Sequence, residues 1–180
     1  MTQAGIPAVP SMVGARIYVD QSKGHGTGVA LANINSTPIT VNIQILSSTG
    51  VTGSRQRLTI PANGHKAAFI DELIAGLPAG FTGIADITTE GLMPIAPLTL
   101  RSLVNGRGDF LLTTFPATNR SEGVTTPAPT GPMVFPQFAD GAGYATEFIF
   151  ISTSGSATME LEFRGDDGTP LFVGRSQVQP

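Results

Sequence analysis

ALANINSTPITVNIQILSSTG, residues Ala30–Gly50, is written again 118 positions later as FIFISTSGSATMELEFRGDDG, residues Phe148–Gly168. Laying one copy on the other pairs Ser36 with Ser154, Thr40 with Thr158 and Gly50 with Gly168, and sets Val41, Ile43 and Ile45 on Met159, Leu161 and Phe163. Identities are few, but in both copies apolar side chains alternate with polar ones (Thr40, Asn42, Gln44; Thr158, Glu160, Glu162). A period of two is the signature of a strand with one buried and one wet face. The chain therefore reads as β-structure built on an internal repeat.

The 180 residues are 41% hydrophobic, enough for a real core, while only 13% are charged, roughly half the usual share. Ser, Thr, Asn, Gln and Gly must then dress the surface, a composition common in secreted and surface-displayed β proteins. A net charge of −3 supplies no basic footprint, so neither nucleic acid nor an anionic membrane is expected as a partner. No apolar run is long enough to insert into a bilayer as a helix. With no cysteine, disulfides, thiolate metal sites and thiol nucleophiles are all excluded. The opening MTQAGIPAVPSMV lacks a basic start and a continuous apolar run, and reads as a mature or trimmed beginning in an extended conformation.

A proline-bearing segment, TTPAPTGPMV, precedes the second copy as Pro7 and Pro10 precede the first. Such entries read as linkers in a chain of modules. This divides the sequence into an extended segment 1–13, a sandwich module 14–116, a Pro/Thr-rich linker 117–131 and a partial second module 132–180. Within the first module, strands are expected over Ile17–Val19, Val29–Asn33, Ile39–Leu46, Arg55–Ile60, Lys66–Ile70, Phe81–Thr88, Ile95–Leu103 and Asp109–Phe115, with one helical turn at Asp71–Ile74. Pro94 and Pro97 predict an edge or a bulge in the seventh of these, and Asn105-Gly106 a hairpin turn after it. Many short strands punctuated by turns in about 100 residues predict an all-β, antiparallel, immunoglobulin-like sandwich, one complete copy and one partial.

Thr27-Gly28-Val29-Ala30-Leu31-Ala32-Asn33, Ile60-Pro61-Ala62-Asn63-Gly64-His65, Phe81-Thr82-Gly83, Gly106-Arg107-Gly108-Asp109-Phe110 and Phe135-Pro136-Gln137-Phe138-Ala139-Asp140-Gly141 carry a resemblance. The chain resembles repeat modules of large secreted or surface proteins of environmental bacteria, in the immunoglobulin-like or fibronectin-like sandwich class. The resemblance spans roughly residues 14 to 116 and resumes at about 131. It implies a spacer, an adhesive unit or a stalk, and no activity. The second copy departs from it by stopping half-way, with no counterpart of the stretch from Pro61 to Phe115.

That truncation leaves Phe148, Phe150, Met159, Leu161, Phe163 and Phe172 needing cover, since each large side chain left wet forgoes about 1.5–3 kcal/mol. Phe148, Phe150, Met159, Leu161 and Phe163 are therefore the expected assembly interface, against a second copy of the chain or a neighbouring module. Other candidates are blander. His25 and His65 lie in separate glycine-bearing loops without the partners a triad or zinc site needs. Asp71-Glu72 suits the start of a helical turn. Asp166-Asp167-Gly168, with Asp140, resembles a calcium loop, but Ser48-Thr49-Gly50 in the first copy keeps only the turn glycine. Gly24, Gly26 and Gly28 are followed by no GK[ST] and no helix, and read as a flexible or bulged connection. Arg107-Gly108-Asp109 matches the integrin-type adhesive tripeptide. No cofactor and no catalytic set is expected, and the chain reads as a non-enzyme. The expected function is a structural or adhesive extracellular module, assembling into a surface fibre, stalk or layer; the alternative is a glycan-binding module using Tyr18 or Tyr144.

Overall fold

The computed structural model describes residues 5–50, 52–121, 134–139, 141–151 and 160–171. Met159, Asp140 and Phe172 lie outside the described residues. In chain order the elements are β1 (Gly14–Asp20), β2 (His25–Asn33), β3 (Ile39–Ser47), β4 (Thr52–Ile60), β5 (His65–Phe69), α1 (Ile70–Leu73), β6 (Thr82–Thr89), a 3-10 turn (Glu90–Leu92), β7 (Ile95–Val104), β8 (Phe110–Phe115), β9 (Thr118–Asn119), β10 (Phe163–Arg164) and β11 (Pro170–Leu171). β1 to β9 form an antiparallel sandwich: a five-stranded sheet in the order β4-β3-β6-β1-β9 and a four-stranded sheet in the order β5-β2-β7-β8. The alternation read in the sequence is what divides inside from outside. Val41, Ile43 and Ile45 of β3 register with Thr89, Ile87 and Ala85 of β6, and all three are buried. Across the core, Val29 and Leu31 of β2 are buried in turn. Each such side chain contributes about 1.5–3 kcal/mol by leaving water.

β7 is an interior strand, flanked by β2 and β8, and not the edge that its prolines predict. Ile95 exchanges backbone hydrogen bonds with Met12, and Val104 donates its N–H to the carbonyl of Gly24, just before β2. By strict alternation, the odd-numbered residues of β7 turn their backbone groups away from β2. Pro97 therefore points its nitrogen toward the β8 side, and β8 has already ended there, its last partner being Thr99 opposite Phe115. The proline removes no ladder bond, so no edge and no bulge is needed.

The glycines of the first loop also differ from expectation. Only Gly24, at φ 80°, serves a turn. Gly26 and Gly28 lie inside β2, where a Cβ at either would come within 3.5–3.8 Å of the Phe69 ring; at Gly26 it would also stand 2.7 Å from Ser102 Oγ. At Gly26 a side chain would displace Ser102, whereas at Gly28 it would meet only ordinary contacts; both are regular strand positions and not a flexible connection.

A second clamp sits where β2 ends. Buried Asn33 reaches with Nδ2 to the carbonyls of Thr37 (2.9 Å), Ile60 (3.2 Å) and Pro61 (2.8 Å). Its Oδ1 accepts from the N–H and Nδ2 of Asn35, and Asn35 Nδ2 is also 2.8 Å from the Pro94 carbonyl. Two amides thus act in series: Asn33 joins β2, the loop into β3 and the end of β4, and Asn35 carries the link to the entry to β7.

In the second copy, the expected strand appears only in part. Phe148–Ile151 carries no ladder, and pairing among the described residues is limited to Phe163 with Leu171, Arg164 with Pro170 and the isolated bridge between Gly141 and Tyr144. Alternation gives a strand its two faces but not a neighbour, and a two-stranded pair alone is marginal in water.

Candidate functional site

Three of the residues expected at an assembly interface, Phe148, Phe150 and Phe163, lie in one ring cluster. Phe148 stands 5.1 Å from Phe135 and 5.9 Å from Phe163, ring centre to ring centre, and 6.4 Å from Phe150 in a stacked pair. Phe138 joins edge-on to Phe163 at 5.1 Å. Such tilted ring pairs each add about 0.5–1.5 kcal/mol beyond the area they bury. The cluster is supplied by its own flanking segment, through Phe135 and Phe138, which the repeat pattern alone did not enlist. Its rim stays wet: Leu161 is 43% exposed and Val134 78%. Met159, the fifth expected member, lies outside the described residues.

Arg107-Gly108-Asp109 occupies the β7–β8 turn. Asn105 Oδ1 accepts the N–H groups of Arg107 and Asp109, while the Asp109 carboxylate takes Asn105 Nδ2 at 2.9 Å and Arg107 Nε at 3.1 Å. Gly108 has φ 82°, so it, and not Gly106, is the residue at which the turn needs glycine. The tripeptide is displayed with its carboxylate already held by its neighbours.

Between the sheets, near the end of β1, lies a charged group that the sequence did not reveal. Asp20 is buried, and its Oδ2 meets Arg101 Nη2 at 2.6 Å and His25 Nδ1 at 3.5 Å. Its Oδ1 accepts the N–H and the hydroxyl of Ser22. Burial pushes the Asp20 carboxyl upward, but the Ser22 hydrogen bonds and the charges of His25 and Arg101 outweigh it and hold the carboxyl below its ordinary value. Tyr18, beside them, is raised, first by burial and then by the negative charges of Glu147 and Asp20. Its ring lies 6.4 Å from Phe115. Glu147 Oε2, 3.8 Å from Arg101 Nη2, brings the second copy to the same group.

The remaining candidates have local roles. His25 Nδ1 is 2.9 Å from the Ser22 carbonyl, and His65 stands on the exposed β5. Glu72 accepts the Phe69 N–H at 2.9 Å, closing the first turn of α1. Asp167 accepts both the N–H and the hydroxyl of Thr169, which hold its carboxyl below the ordinary value and tighten the turn through Gly168. Among the described residues no three His, Asp or Glu side chains gather as a metal site would require. Tyr144 is 72% exposed, on a tight turn bridged between Gly141 and Tyr144. A cavity of about 280 Å³, lined by Pro7, Val9, Pro10, Pro97, Leu98 and Phe115 among others, is apolar and lacks the convergent polar groups of a ligand site.

No family model and no curated relative matches the sequence. Among solved structures, the chain is similar to a crystal structure of Thermotoga maritima 1070, with a TM-score of 0.50 and 11% identity over 60% of this chain and 94% of that one. It is also aligned with the Anabaena sensory rhodopsin transducer, with a TM-score of 0.37 and 19% identity over 53% of this chain and 97% of that one. At such identity the first likeness speaks to the fold alone: the chain is an all-β protein with antiparallel sheets in a sandwich-like arrangement.

Proposed function

We propose that the chain is a non-catalytic, extracellular structural or adhesive sandwich module that assembles with copies of itself or with neighbouring modules at a surface. The observation that carries this reading is the phenylalanine cluster outside the sandwich, closed on itself by ring contacts yet rimmed by exposed Val134, Leu161 and Leu171. Apolar area of this kind marks an interaction site. The low charge content fits a module whose surface meets other protein, and His25, Glu72 and Asp20 are engaged in a turn, a helix cap and a buried ion pair.

Sedimentation tests the reading. The wild-type chain is expected to associate, and Leu161→Asp to shift it to a smaller species while the sandwich still melts cooperatively, because the variant places an unpaired carboxylate at the seam. A strictly monomeric wild type would refute association.

Tyr144 favours the second reading, a glycan-binding module, since an exposed ring on a fixed turn suits stacking on a sugar face. In that case the chain would give specific binding on a glycan array, lost in Tyr144→Ala; an array without signal removes this reading.

A further inference from the structure

Sheet edges are open templates for pairing, and natural proteins blunt them with charge, proline or shortness. This sandwich has four edges, and three are treated in that way. β4 carries Arg55 and Arg57, β5 carries His65 and Lys66, and β9 is two residues long. β8 is the exception. Its sequence, FLLTTF, has no charge and no proline, and Phe110 and Leu111 are 45% and 47% exposed. Among the described residues it pairs with β7 alone.

The register shows which groups are free. The odd residues of β7 face β8, so their partners Leu111, Thr113 and Phe115 turn their backbone groups inward. Phe110, Leu112 and Thr114 point their N–H and C=O groups outward. We infer that the outer edge of β8 is a docking surface for β8 of a second copy, antiparallel about a two-fold axis at Leu112. This deepens, and rests on, the reading of the chain as a self-assembling module.

The strand suits itself as a partner. Centred on Leu112, the pairing sets Phe110 opposite Thr114 of the partner copy and Leu111 opposite Thr113, opposes no like charges, and forms about six backbone hydrogen bonds. Two four-stranded sheets become one of eight. The occupant is symmetric, so the contact closes at two copies. The phenylalanine face remains free for a further contact.

Two full-length variants test the edge. Leu112→Pro removes one outward N–H at the axis and no bond to β7; Leu111→Lys leaves every backbone donor in place and sets a charge on an exposed edge position opposite the uncharged Leu103. Both are expected to weaken dimerisation by about 10–100-fold in sedimentation while melting near the wild-type temperature. In the wild type, amide exchange at Phe110, Leu112 and Thr114 is expected to slow as concentration rises, with Leu111 and Thr113 slow throughout. If the wild type associates but Leu111→Lys associates equally well and these amides show no concentration dependence, the β8 assignment is wrong and the self-assembly reading stands. If the wild type is monomeric at all concentrations, both fall.

Discussion

Replacing Arg101 by Met is expected to lower the stability of the sandwich by about 3 kcal/mol, because removal of one partner strands the other as a buried charge. Asp20 is the group stranded. Its carboxylate would keep the two Ser22 hydrogen bonds but lose the guanidinium at 2.6 Å. For a domain of this size, that loss lowers the melting temperature by more than about 10 °C. The pH dependence follows from the same group. The folded-state pKa of Asp20 lies below its unfolded value, so its contribution is present above about pH 4 and disappears as pH falls through the folded value. In Arg101→Met the upward push of burial on the Asp20 carboxyl is opposed by less, the folded pKa rises, and acid unfolding should begin at a higher pH. A variant that melts and acid-unfolds like the wild type would show that the pair contributes nothing.

Asn33→Ala is expected to cost as much, and by a different route. The change abolishes the contacts to Thr37, Ile60 and Pro61 and leaves the buried Ile60 carbonyl short of a donor. Thr37 and Pro61 are exposed, so water can replace the amide there, and the one orphaned buried carbonyl, at about 1–3 kcal/mol, sets the cost. Asn33→Asp separates amide from shape: it keeps the acceptor for Asn35 but presents an oxygen to three carbonyls, and should be at least as damaging. Chemical denaturation of both variants checks this; a loss under about 1 kcal/mol for both would mean that the loop relaxes to satisfy itself.

These two groups are also what the sequence hides. Strands β2, β3, β6, β7 and β8 were legible to within a few residues because alternation is local, each residue recording its own exposure. Asn33 reads as the end of a strand and Asp20 as a polar residue before a turn. Their roles are defined by Ile60, Pro61 and Arg101, which lie 27, 28 and 81 residues away. No periodicity records a contact of that separation. Pro97 misled for a related reason: a proline signals a missing donor, but whether the donor is missed depends on where the neighbouring strand stops. The second copy shows the converse, since Phe148 and Phe150 have strand-like spacing without a strand beside them. Their gathering with Phe163 was legible as apolar demand, whereas the part of Phe135 and Phe138 in meeting it was not.

β9 returns the chain to its beginning. Asn119 pairs with Ala15, the Arg120 N–H donates to the Gly14 carbonyl, and Asp86 draws Arg16 and Arg120 to one carboxylate. Entry and exit therefore lie side by side, and the whole sandwich adds almost nothing to the contour of a chain that passes through it. A tether built of such units does not lengthen like a rod; each unit hangs from the line as a pendant. Tension along the chain would bear first on the short β1–β9 ladder at the edge of the five-stranded sheet, peeling its bonds one after another before load reached the longer ladders behind it.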